Sequence, residues 1–369
     1  MIKVLVVFGT RPEAIKMCPL IKELNARPKI DVTVCITAQH REMLDQVLSA
    51  FEVSADYDLN IMKHGQTLSG IASEVLILLE DVICEVGPDI ILVHGDTTTT
   101  FASSLAAFYH QVRVGHVEAG LRTYNKHSPF PEEMNRALTG KIADLHFAPT
   151  VKSKDNLLHE GVSKDRIFVT GNTAIDALYT TVSKDYRSSV LNQIVDWVDV
   201  DRLILLTTHR RENLGEPMRN IFSAIKKVMD AEKNIKVLYP IHPNPAIRSL
   251  ANQFFAGTDR LKIVEPLEVV DFHNIMARAY VILTDSGGIQ EEAPSLGKPV
   301  LVLRDTTERP EGVTAGALEL VGTCEKTIFS TVIELLNDER KYEEMSKASN
   351  PYGDGTASRQ IADIVIKHF

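Results

Sequence analysis

Short aliphatic runs alternate along this chain with stretches whose apolar residues recur at helical spacing. The first run, Ile2–Phe8, is almost unbroken, which is typical of a strand covered on both faces of a parallel sheet. In 68–86 the apolar residues fall on one face of a helix. Strands are predicted at 2–8, 31–37, 90–93, 112–117, 145–148, 166–170, 203–206, 235–239, 261–264, 280–283 and 299–303. Their alternation with helices predicts an α/β fold with parallel sheets.

The chain is longer than one hydrophobic core usually requires. Its 369 residues, 44% of them hydrophobic, favour two domains. We predict two Rossmann-like, doubly wound domains at 1–170 and 171–353, and an amphipathic helix at 354–369. The turn Gly171-Asn172-Thr173 is a candidate hinge. Polar clusters follow the strands of both halves, so two such sheets facing each other would form a cleft lined by opposite charges.

Composition excludes several classes of protein. A formal net charge of -9 argues against nucleic-acid binding. The apolar start is too short for a signal peptide and no run is long enough to span a bilayer, so a cytoplasmic protein is expected. The cysteines form no close pair, so we expect buried, reduced thiols and neither disulfides nor a metal site. They are Cys18, Cys35, Cys84 and Cys324.

A phosphate-binding turn is predicted after the apolar run 280–283. Ser286, Gly287 and Gly288 lead into a helix whose first amides would face an anion. Glu291 and Glu292 stand one turn further on, where a carboxylate can accept hydrogen bonds from ribose hydroxyls. Together these features suggest a nucleoside diphosphate. The alternative is an ordinary strand-to-helix turn with acidic residues at a favourable helix start.

Two cations follow the first strand. Arg11 and Lys16 lie near its carboxyl end, where open α/β sheets bind ligands, and could clamp a diphosphate. The alternative is that both are solvated surface charges. The loop has one glycine where a dinucleotide fingerprint needs three, so a tightly bound nicotinamide is not expected. No other cofactor is predicted.

Two carboxylates end the next predicted strands. Asp96 follows 90–93 and has either a chemical role or the role of a helix N-cap. Glu118 lies between Val117 and Ala119, where burial would raise its pKa and suit it to acid or base work. Arg122 could instead pair with Glu118 and make it structural.

Three further polar residues have weaker signals. Glu132 and Glu133 fall in the first turn of a predicted helix, where acidic residues usually only oppose the dipole. His209 ends the strand 203–206, and its default role is a loop hydrogen bond. Spacing alone therefore gives none of them a function.

Taken in order, six motifs resemble those of the non-hydrolysing UDP-N-acetylglucosamine 2-epimerases of bacteria. The resemblance implies the two-domain GT-B fold, a terminal helix that crosses back onto the first domain, and a homodimer. No metal site is predicted. The motifs are Gly9-Thr10-Arg11-Pro12-Glu13, His94-Gly95-Asp96-Thr97, His116-Val117-Glu118-Ala119-Gly120, Pro131-Glu132-Glu133-Met134-Asn135-Arg136, His209-Arg210-Arg211-Glu212, and the block from Ser286 to Glu292.

The resemblance also implies residue roles. The implied catalytic residues are Asp96, Glu118, Glu132 and His209. The implied UDP ligands are Arg11, Lys16, Phe272, Ser286, Gly287, Gly288, Glu292 and Arg309. Gln39, Arg210 and His242 match a second site at which relatives bind UDP-N-acetylglucosamine as an activator. Gly65 replaces an arginine of some relatives there, and Leu267 replaces a glutamine near the base.

The implied reaction is inversion at C2 of UDP-N-acetylglucosamine to UDP-N-acetylmannosamine, for cell-surface polysaccharide synthesis. C2 has no adjacent carbonyl, so its proton can be removed only if a neighbour is oxidised or if the C1–phosphate bond breaks. The absent glycine fingerprint favours elimination of UDP and its re-addition. A GT-B glycosyltransferase, a hydrolysing epimerase and a non-catalytic nucleotide-sugar sensor remain alternatives.

Overall fold

The computed structural model describes residues 1–38, 41–63, 65–198 and 202–369. The chain divides into two compact units. The first comprises Met1–Thr180 with Tyr352–Phe369, and the second comprises Thr181–Pro351. The expected boundary at 170 lies before the helix Thr173–Thr181, whereas the observed one, after Thr180, lies at the end of that helix.

The first unit is built on a parallel sheet whose strand order is β3-β2-β1-β4-β5-β6-β7. Strand order reverses at β1 and β4, so the carboxyl ends of these two strands form the crevice at which doubly wound sheets bind ligands. The strands are β1 (Ile2–Phe8), β2 (Ile30–Ile36), β3 (Tyr57–Asp58), β4 (Ile90–His94), β5 (Arg113–Val117), β6 (Leu145–Ala148) and β7 (Ile167–Val169).

Helices connect these strands, and local sequence sets their ends. Thr10 and Glu13 form a capping box at the start of α1, and Gly87 ends α3 with a φ of 58°. The helices are α1 (Arg11–Asn25), α2 (Arg41–Ala50), α3 (Leu68–Val86), α4 (Thr98–Tyr109), α5 (Glu132–Ile142), α6 (Val151–His159) and α7 (Thr173–Thr181). A short 3-10 helix spans Lys164–Arg166.

The second unit repeats this plan with the order β10-β9-β8-β11-β12-β13. Its strand order reverses at β8 and β11. The strands are β8 (Leu203–Thr207), β9 (Lys236–Pro240), β10 (Leu261–Val264), β11 (Val281–Thr284), β12 (Val300–Val302) and β13 (Leu318–Leu320). The helices are α8 (Ser189–Val198), α9 (Glu216–Ala231), α10 (Pro245–Phe255), α11 (Val269–Arg278), α12 (Gly287–Glu292), α13 (Pro310–Thr314), α14 (Glu325–Asn337) and α15 (Glu339–Ser346).

The last helix, α16 (Ala357–His368), belongs to the first unit and packs against α1. Its first amide groups donate to a buried carboxylate on α7, with 2.8 Å between Ser358 N and Asp176 Oδ1. The segment that leads to it lies against the start of α7, where Asn172 N donates to Tyr352 O at 2.7 Å. Two doubly wound parallel α/β domains, as predicted, are therefore confirmed.

Both sheets have cores on either face. In β1, residues 4–8 are completely buried, which agrees with the unbroken aliphatic run of the sequence. The cysteine prediction is half wrong. Cys18 and Cys35 are buried and burial raises the pKa of each thiol to about 12, but Cys84 and Cys324 are exposed. Both exposed thiols lie on or beside long helices whose apolar face is elsewhere.

None of the helices in the part of the chain described is long and apolar enough to span a membrane. Among the same residues, no three His, Cys, Asp or Glu side chains are grouped so that they could hold a metal ion.

Candidate active site

Glu118 is the centre of a polar cluster at the carboxyl edge of the first sheet. It follows β5 directly and adopts a φ of 62°, a left-handed conformation that is unusual for a residue with a side chain. Its side chain is 8% exposed, and its Oε1 accepts hydrogen bonds from Lys16 Nζ and from Asn172 Nδ2, the latter at 2.9 Å. His94 Nε2 lies 3.7 Å from Oε2. The backbone turn therefore directs the carboxylate into a cationic and amide environment.

Arg122 does not pair with Glu118. Its guanidinium binds Glu160 through two hydrogen bonds of 2.7 and 2.9 Å, and its side chain is 1% exposed. The structural alternative raised by the sequence therefore applies to a different carboxylate. Lys16, expected to bind diphosphate, is the cation that contacts Glu118.

Asp96 lies beside the same cluster and is not a helix cap. Thr97 caps α4, since its hydroxyl accepts from Thr100 N at 3.1 Å. The Asp96 carboxylate pairs with Arg136 at 2.7 Å. Burial raises the pKa of Asp96 to about 6, and the nearby charges of Glu118 and Glu132 add to this while Arg136 opposes it. Asp96 therefore exchanges a proton close to neutral pH.

The two acidic residues at the start of α5 have different surroundings. Glu133 is buried and accepts hydrogen bonds from Thr123 N at 3.1 Å and Tyr124 N at 2.9 Å, so it fixes the preceding loop. Glu132 is half-buried, and within the described residues its carboxylate makes no hydrogen bond or ion pair. Of the pair, Glu132 alone is available for chemistry.

Glu13 fixes the turn between β1 and α1. Its Oε2 accepts from Gly9 N at 3.1 Å and Thr10 N at 2.8 Å, and its Oε1 accepts from the Thr97 hydroxyl at 2.7 Å. It thus ties the loop after β1, which carries the half-buried Arg11, to the start of α4.

Asp285 and His209 form the corresponding pair at the switch point of the second sheet. Asp285 follows β11 and is fully buried, whereas the side chain of His209, after β8, is 39% exposed. Their Oδ1 and Nδ1 atoms lie 3.2 Å apart. Burial on its own would raise the pKa of Asp285, but the hydrogen bonds from His209 and from backbone amides hold it below its usual value. Asp285 is therefore ionised.

A second feature of this edge is an arginine held against a glycine turn. Arg309 Nε donates to Glu291 Oε1 at 2.7 Å, and a Cβ added to Gly287 would lie 3.4 Å from the Arg309 Cζ. Glu291 is only 2% exposed, so its predicted role as a ribose acceptor is wrong. Glu292 is 14% exposed and stays the predicted ribose acceptor. Its Oε2 lies 3.5 Å from His273 Nε2.

Three more predicted ligands of UDP lie in the second unit. Ser286 precedes α12, and its side chain makes no capping hydrogen bond while its amide donates to Thr284 Oγ1 at 3.0 Å. Gly288 is the second residue of this helix, and the half-buried Phe272 lies on α11. The second unit therefore contains these residues and Arg309, while Arg11 and Lys16 belong to the first unit.

The candidate activator residues are only partly described. His242 stacks on His209 with ring centroids 6.0 Å apart, and Arg210 Nε donates to Asp285 O at 3.2 Å. Gln39 lies outside the described residues. Gly65 has a φ of 75° and nothing within 4 Å of an added Cβ, so the space for a longer side chain is open.

Similarity to known proteins extends over nearly the whole chain. The sequence model of one family, described as UDP-N-acetylglucosamine 2-epimerase, matches residues 22–366. The chain belongs to the UDP-N-acetylglucosamine 2-epimerase family. This agrees with the family that the six motifs resemble.

One similar protein is the UDP-N-acetylglucosamine 2-epimerase of Bacillus subtilis (strain 168). It is 61% identical over 368 residues, and the alignment covers 100% of this chain and 96% of that protein. The S. aureus MnaA structure with UDP is 52% identical, with a TM-score of 0.90 over 100% of this chain and 97% of that one. A Neisseria meningitidis UDP-GlcNAc 2-epimerase bound to UDP-GlcNAc is 50% identical, with a TM-score of 0.89 over 99% of this chain and 100% of that one.

Reasoning from the sequence missed three polar residues in this member of the 2-epimerase family. Glu13 is part of the first motif but was given no role, Asp285 directly precedes the last motif, and Arg136 was not connected to Asp96. The available signal was their position directly after a strand or within one helical turn of a candidate residue. Arg136 is distant in sequence from Asp96, and Asp285 from His209, so no spacing rule could identify these two pairs. Glu13 has the spacing of a capping box with Thr10, but its contact with Thr97 is equally distant.

Proposed function

We propose that this chain catalyses the reversible epimerisation of UDP-N-acetylglucosamine at C2, giving UDP-N-acetylmannosamine. Membership of the family supports the reaction type. The observation that carries the proposal is the carboxylate cluster of the first unit, where burial raises the pKa of Asp96 to about 6 beside Glu118 and Glu132. Inversion at C2 requires one group to take a proton and another to return it on the opposite face.

The proposed mechanism is elimination followed by re-addition. A carboxylate removes the C2 proton, the electrons of the C2–H bond form a C1=C2 double bond, and the C1–O bond breaks with its electrons on the departing UDP. The intermediate is 2-acetamidoglucal. UDP then returns to C1 while a second group protonates C2 from the other face. Asp96, Glu118 and Glu132 are the candidates for these roles, with acid and base not assigned among them.

The charge on the departing diphosphate needs cations and hydrogen-bond donors. We assign this role to Arg11, Lys16, His209 and Arg309 with the backbone of Ser286, Gly287 and Gly288. Glu292 is the proposed ribose ligand and Phe272 the neighbour of the uracil ring. Leu267 offers the base no side-chain hydrogen bond. The proposal needs no redox cofactor, because the C2 proton becomes removable through loss of the leaving group.

Proton NMR of the purified protein with UDP-N-acetylglucosamine in deuterated water, without an acceptor, tests this function. We expect UDP-N-acetylmannosamine that carries deuterium at C2. Free N-acetylmannosamine with UDP would instead indicate a hydrolysing epimerase, and an unchanged substrate would favour a glycosyltransferase or a sensor. Product that keeps its original C2 hydrogen would refute the elimination mechanism. Asp96→Asn should abolish turnover.

A second substrate molecule is the proposed activator. Arg210 and His242 lie next to His209 in the second unit, which supports a ligand contact there, and Gln39 completes the set by resemblance. The initial rate should then rise sigmoidally with substrate concentration. His242→Ala should make the curve hyperbolic, and a hyperbolic curve for the unaltered protein would contradict activation.

We also propose a homodimer. Ile77 on α3 and Phe108 and Tyr109 at the end of α4 are large apolar side chains that are exposed on two packed helices. A second copy of the chain would cover them. The supply of cell-surface polysaccharide synthesis is proposed on the family resemblance alone, and the cytoplasmic location stays the prediction made from the sequence.

A further inference from the structure

The buried carboxylate of Asp285 collects four nitrogen groups from the loop after β8. Three of these groups are the amides of His209 and Arg210 and the side-chain amide of Asn213. The fourth nitrogen is the imidazole Nδ1 of His209, whose proton is assigned below. Asp285 is completely buried, so water cannot replace any of these donors. A carboxylate in this position must find all its partners within the protein.

The donors divide unequally between the two carboxylate oxygens. Oδ2 accepts from His209 N at 3.0 Å, Arg210 N at 3.0 Å and Asn213 Nδ2 at 2.9 Å. Oδ1 faces the His209 Nδ1 at 3.2 Å. It also lies 3.1 Å from His209 N, which is shared with Oδ2 at 3.0 Å. One oxygen therefore fastens the loop, and the other is directed at the imidazole ring.

We propose that Asp285 is a positioning residue for His209, whose carboxylate binds the Nδ1–H of the imidazole and confines proton exchange to Nε2. An ionised carboxylate can only accept hydrogen bonds, so a nitrogen held 3.2 Å from it must carry the proton. The neutral ring then has its lone pair on Nε2. The protonated ring has its second N–H there.

The neighbouring His242 and Arg210 side chains do not determine which nitrogen of His209 carries the proton. His242 stacks on His209 at an interplanar angle of 19°, so its nitrogens lie beside the ring and not at its edge. The Nδ1 of His242 accepts from Asn244 N at 3.2 Å, and burial lowers the pKa of His242, so this second ring stays neutral. The Arg210 Nε donates to the backbone carbonyl of Asp285 and not to its carboxylate.

The consequence for the reaction rests on the proposed function. During elimination, the Nε2–H of protonated His209 would pass its proton to the departing phosphate oxygen, leaving the neutral ring with its Nδ1–H on Asp285. During re-addition the same proton would return to Nε2. No proton crosses to Asp285, and the carboxylate serves to orient the ring and to balance its charge.

Asp285→Asn separates the two functions of the carboxylate. With its oxygen in the place of Oδ2, the new amide keeps the three contacts to His209 N, Arg210 N and Asn213. Its NH2 then takes the place of Oδ1 and donates to Nδ1, which forces the proton of the neutral ring onto Nε2. This variant should therefore retain the loop but reverse the tautomer.

The tautomer can be read by ¹H–¹⁵N NMR of histidine-labelled full-length protein at alkaline pH, with His209→Gln used to assign the signal. We expect the proton on Nδ1 in the unaltered protein and on Nε2 in Asp285→Asn. We also expect kcat to fall by about a hundredfold or more, as for a wrong-tautomer catalytic histidine, while KM changes little. A proton on Nε2 in the unaltered protein would overturn the proposal.

Asn213→Ala is the matched control for loosening of the loop. It removes the Nδ2 donor to Oδ2, 2.9 Å away, without touching the imidazole contact. The melting temperature should fall, but the His209 tautomer should not change, and kcat should fall far less than in Asp285→Asn. Equal losses of kcat in the two variants would assign Asp285 a merely structural role. The NMR measurement of the tautomer does not require an active enzyme. An inactive protein would therefore refute the proposed function, but the His209 tautomer could still be tested.

Discussion

The side-chain amide of Asn172 donates a hydrogen bond of 2.9 Å to the Oε1 of Glu118. The backbone amide of the same residue donates to Tyr352 O at 2.7 Å, in the segment that leads to α16. A candidate hinge residue of the sequence thus contacts both the returning segment and a candidate catalytic carboxylate. A change in the Asn172 side chain should therefore alter the hydrogen bonding and the charge environment of the Glu118 carboxylate.

Asn172→Asp should lower kcat with little change in KM. It replaces the donor by a second negative charge beside Glu118, and a lost hydrogen bond to a charged group corresponds to about 1.5–3 kcal/mol, or roughly a ten- to hundredfold decrease. Steady-state kinetics measure this effect, with thermal melting to verify the fold. Asn172→Ala removes the donor without adding charge and should be less harmful than the aspartate. The reverse order would show that the Glu118 contact is unimportant.

Arg136→Gln should move the pH dependence of turnover. Arg136 is the cation 2.7 Å from Asp96 that opposes the rise in its pKa, so removing it should raise that pKa above about 6. The limb of the pH–rate profile that reports Asp96 should move to higher pH by about one unit or more. Lys141→Gln, which removes a charge from the same helix without contacting Asp96, should leave the profile in place. A limb that moves to lower pH would contradict the assignment.

Three buried histidines should make the folded state sensitive to acid. Burial lowers the pKa of His94 to about 4, of His116 to about 3 and of His146 to about 4. The unfolded chain binds these protons near the ordinary pKa of 6.5, so stability is full above that value and falls as pH decreases towards 4. Burial raises the pKa of the carboxyl groups of Asp96 and Asp176, and both act in the opposite direction.

Urea unfolding at several pH values measures this dependence. Each tenfold difference in proton affinity between the folded and unfolded states changes the free energy of unfolding by about 1.4 kcal/mol. His146→Asn should flatten the dependence below pH 6.5, because it removes one neutral ring from the core. His159→Asn, at an exposed position, should not change it. An unfolding midpoint that is constant from pH 6.5 towards 4 would refute the prediction.

Phe108→Asp should dissociate the proposed homodimer. A charge in the exposed apolar area on α3 and α4 opposes its burial against a second copy. Light scattering coupled to size-exclusion chromatography should give the mass of one chain for this variant and of two for the unaltered protein. Val151→Asp, at an exposed apolar residue of α6, should remain a dimer. A monomeric unaltered protein would remove the basis of the proposal.

Helices and strands were predictable where the pattern of apolar residues shows directly which positions are buried. The strand at Leu145–Ala148 and the helix at Leu68–Val86 have the predicted ends, since the one is buried on both faces and the other has one apolar face and a cap at each end. β3 and β13 were missed because Tyr57–Asp58 and Leu318–Leu320 are short edge strands without an aliphatic run.

The side-chain partners could not be predicted in the same way. Arg122 could reach Glu118 by spacing, yet in the folded unit it pairs with Glu160 at the end of α6. Glu291 and Glu292 are adjacent in sequence, but a helix turns them in different directions, so one is buried on Arg309 and the other is not. Strand ends identify the edge of the sheet at which a site lies, whereas partners depend on tertiary packing.

The return of α16 to the first unit affects the order in which the chain can fold during synthesis. Ile361, Ala362 and Val365 of this helix are fully buried, and α1 provides part of the surface that covers them. Residues 181–351 are synthesised before these side chains exist, so the first unit keeps part of its apolar surface uncovered until α16 has left the ribosome. The half of the protein that is made first is thus the half that is finished last.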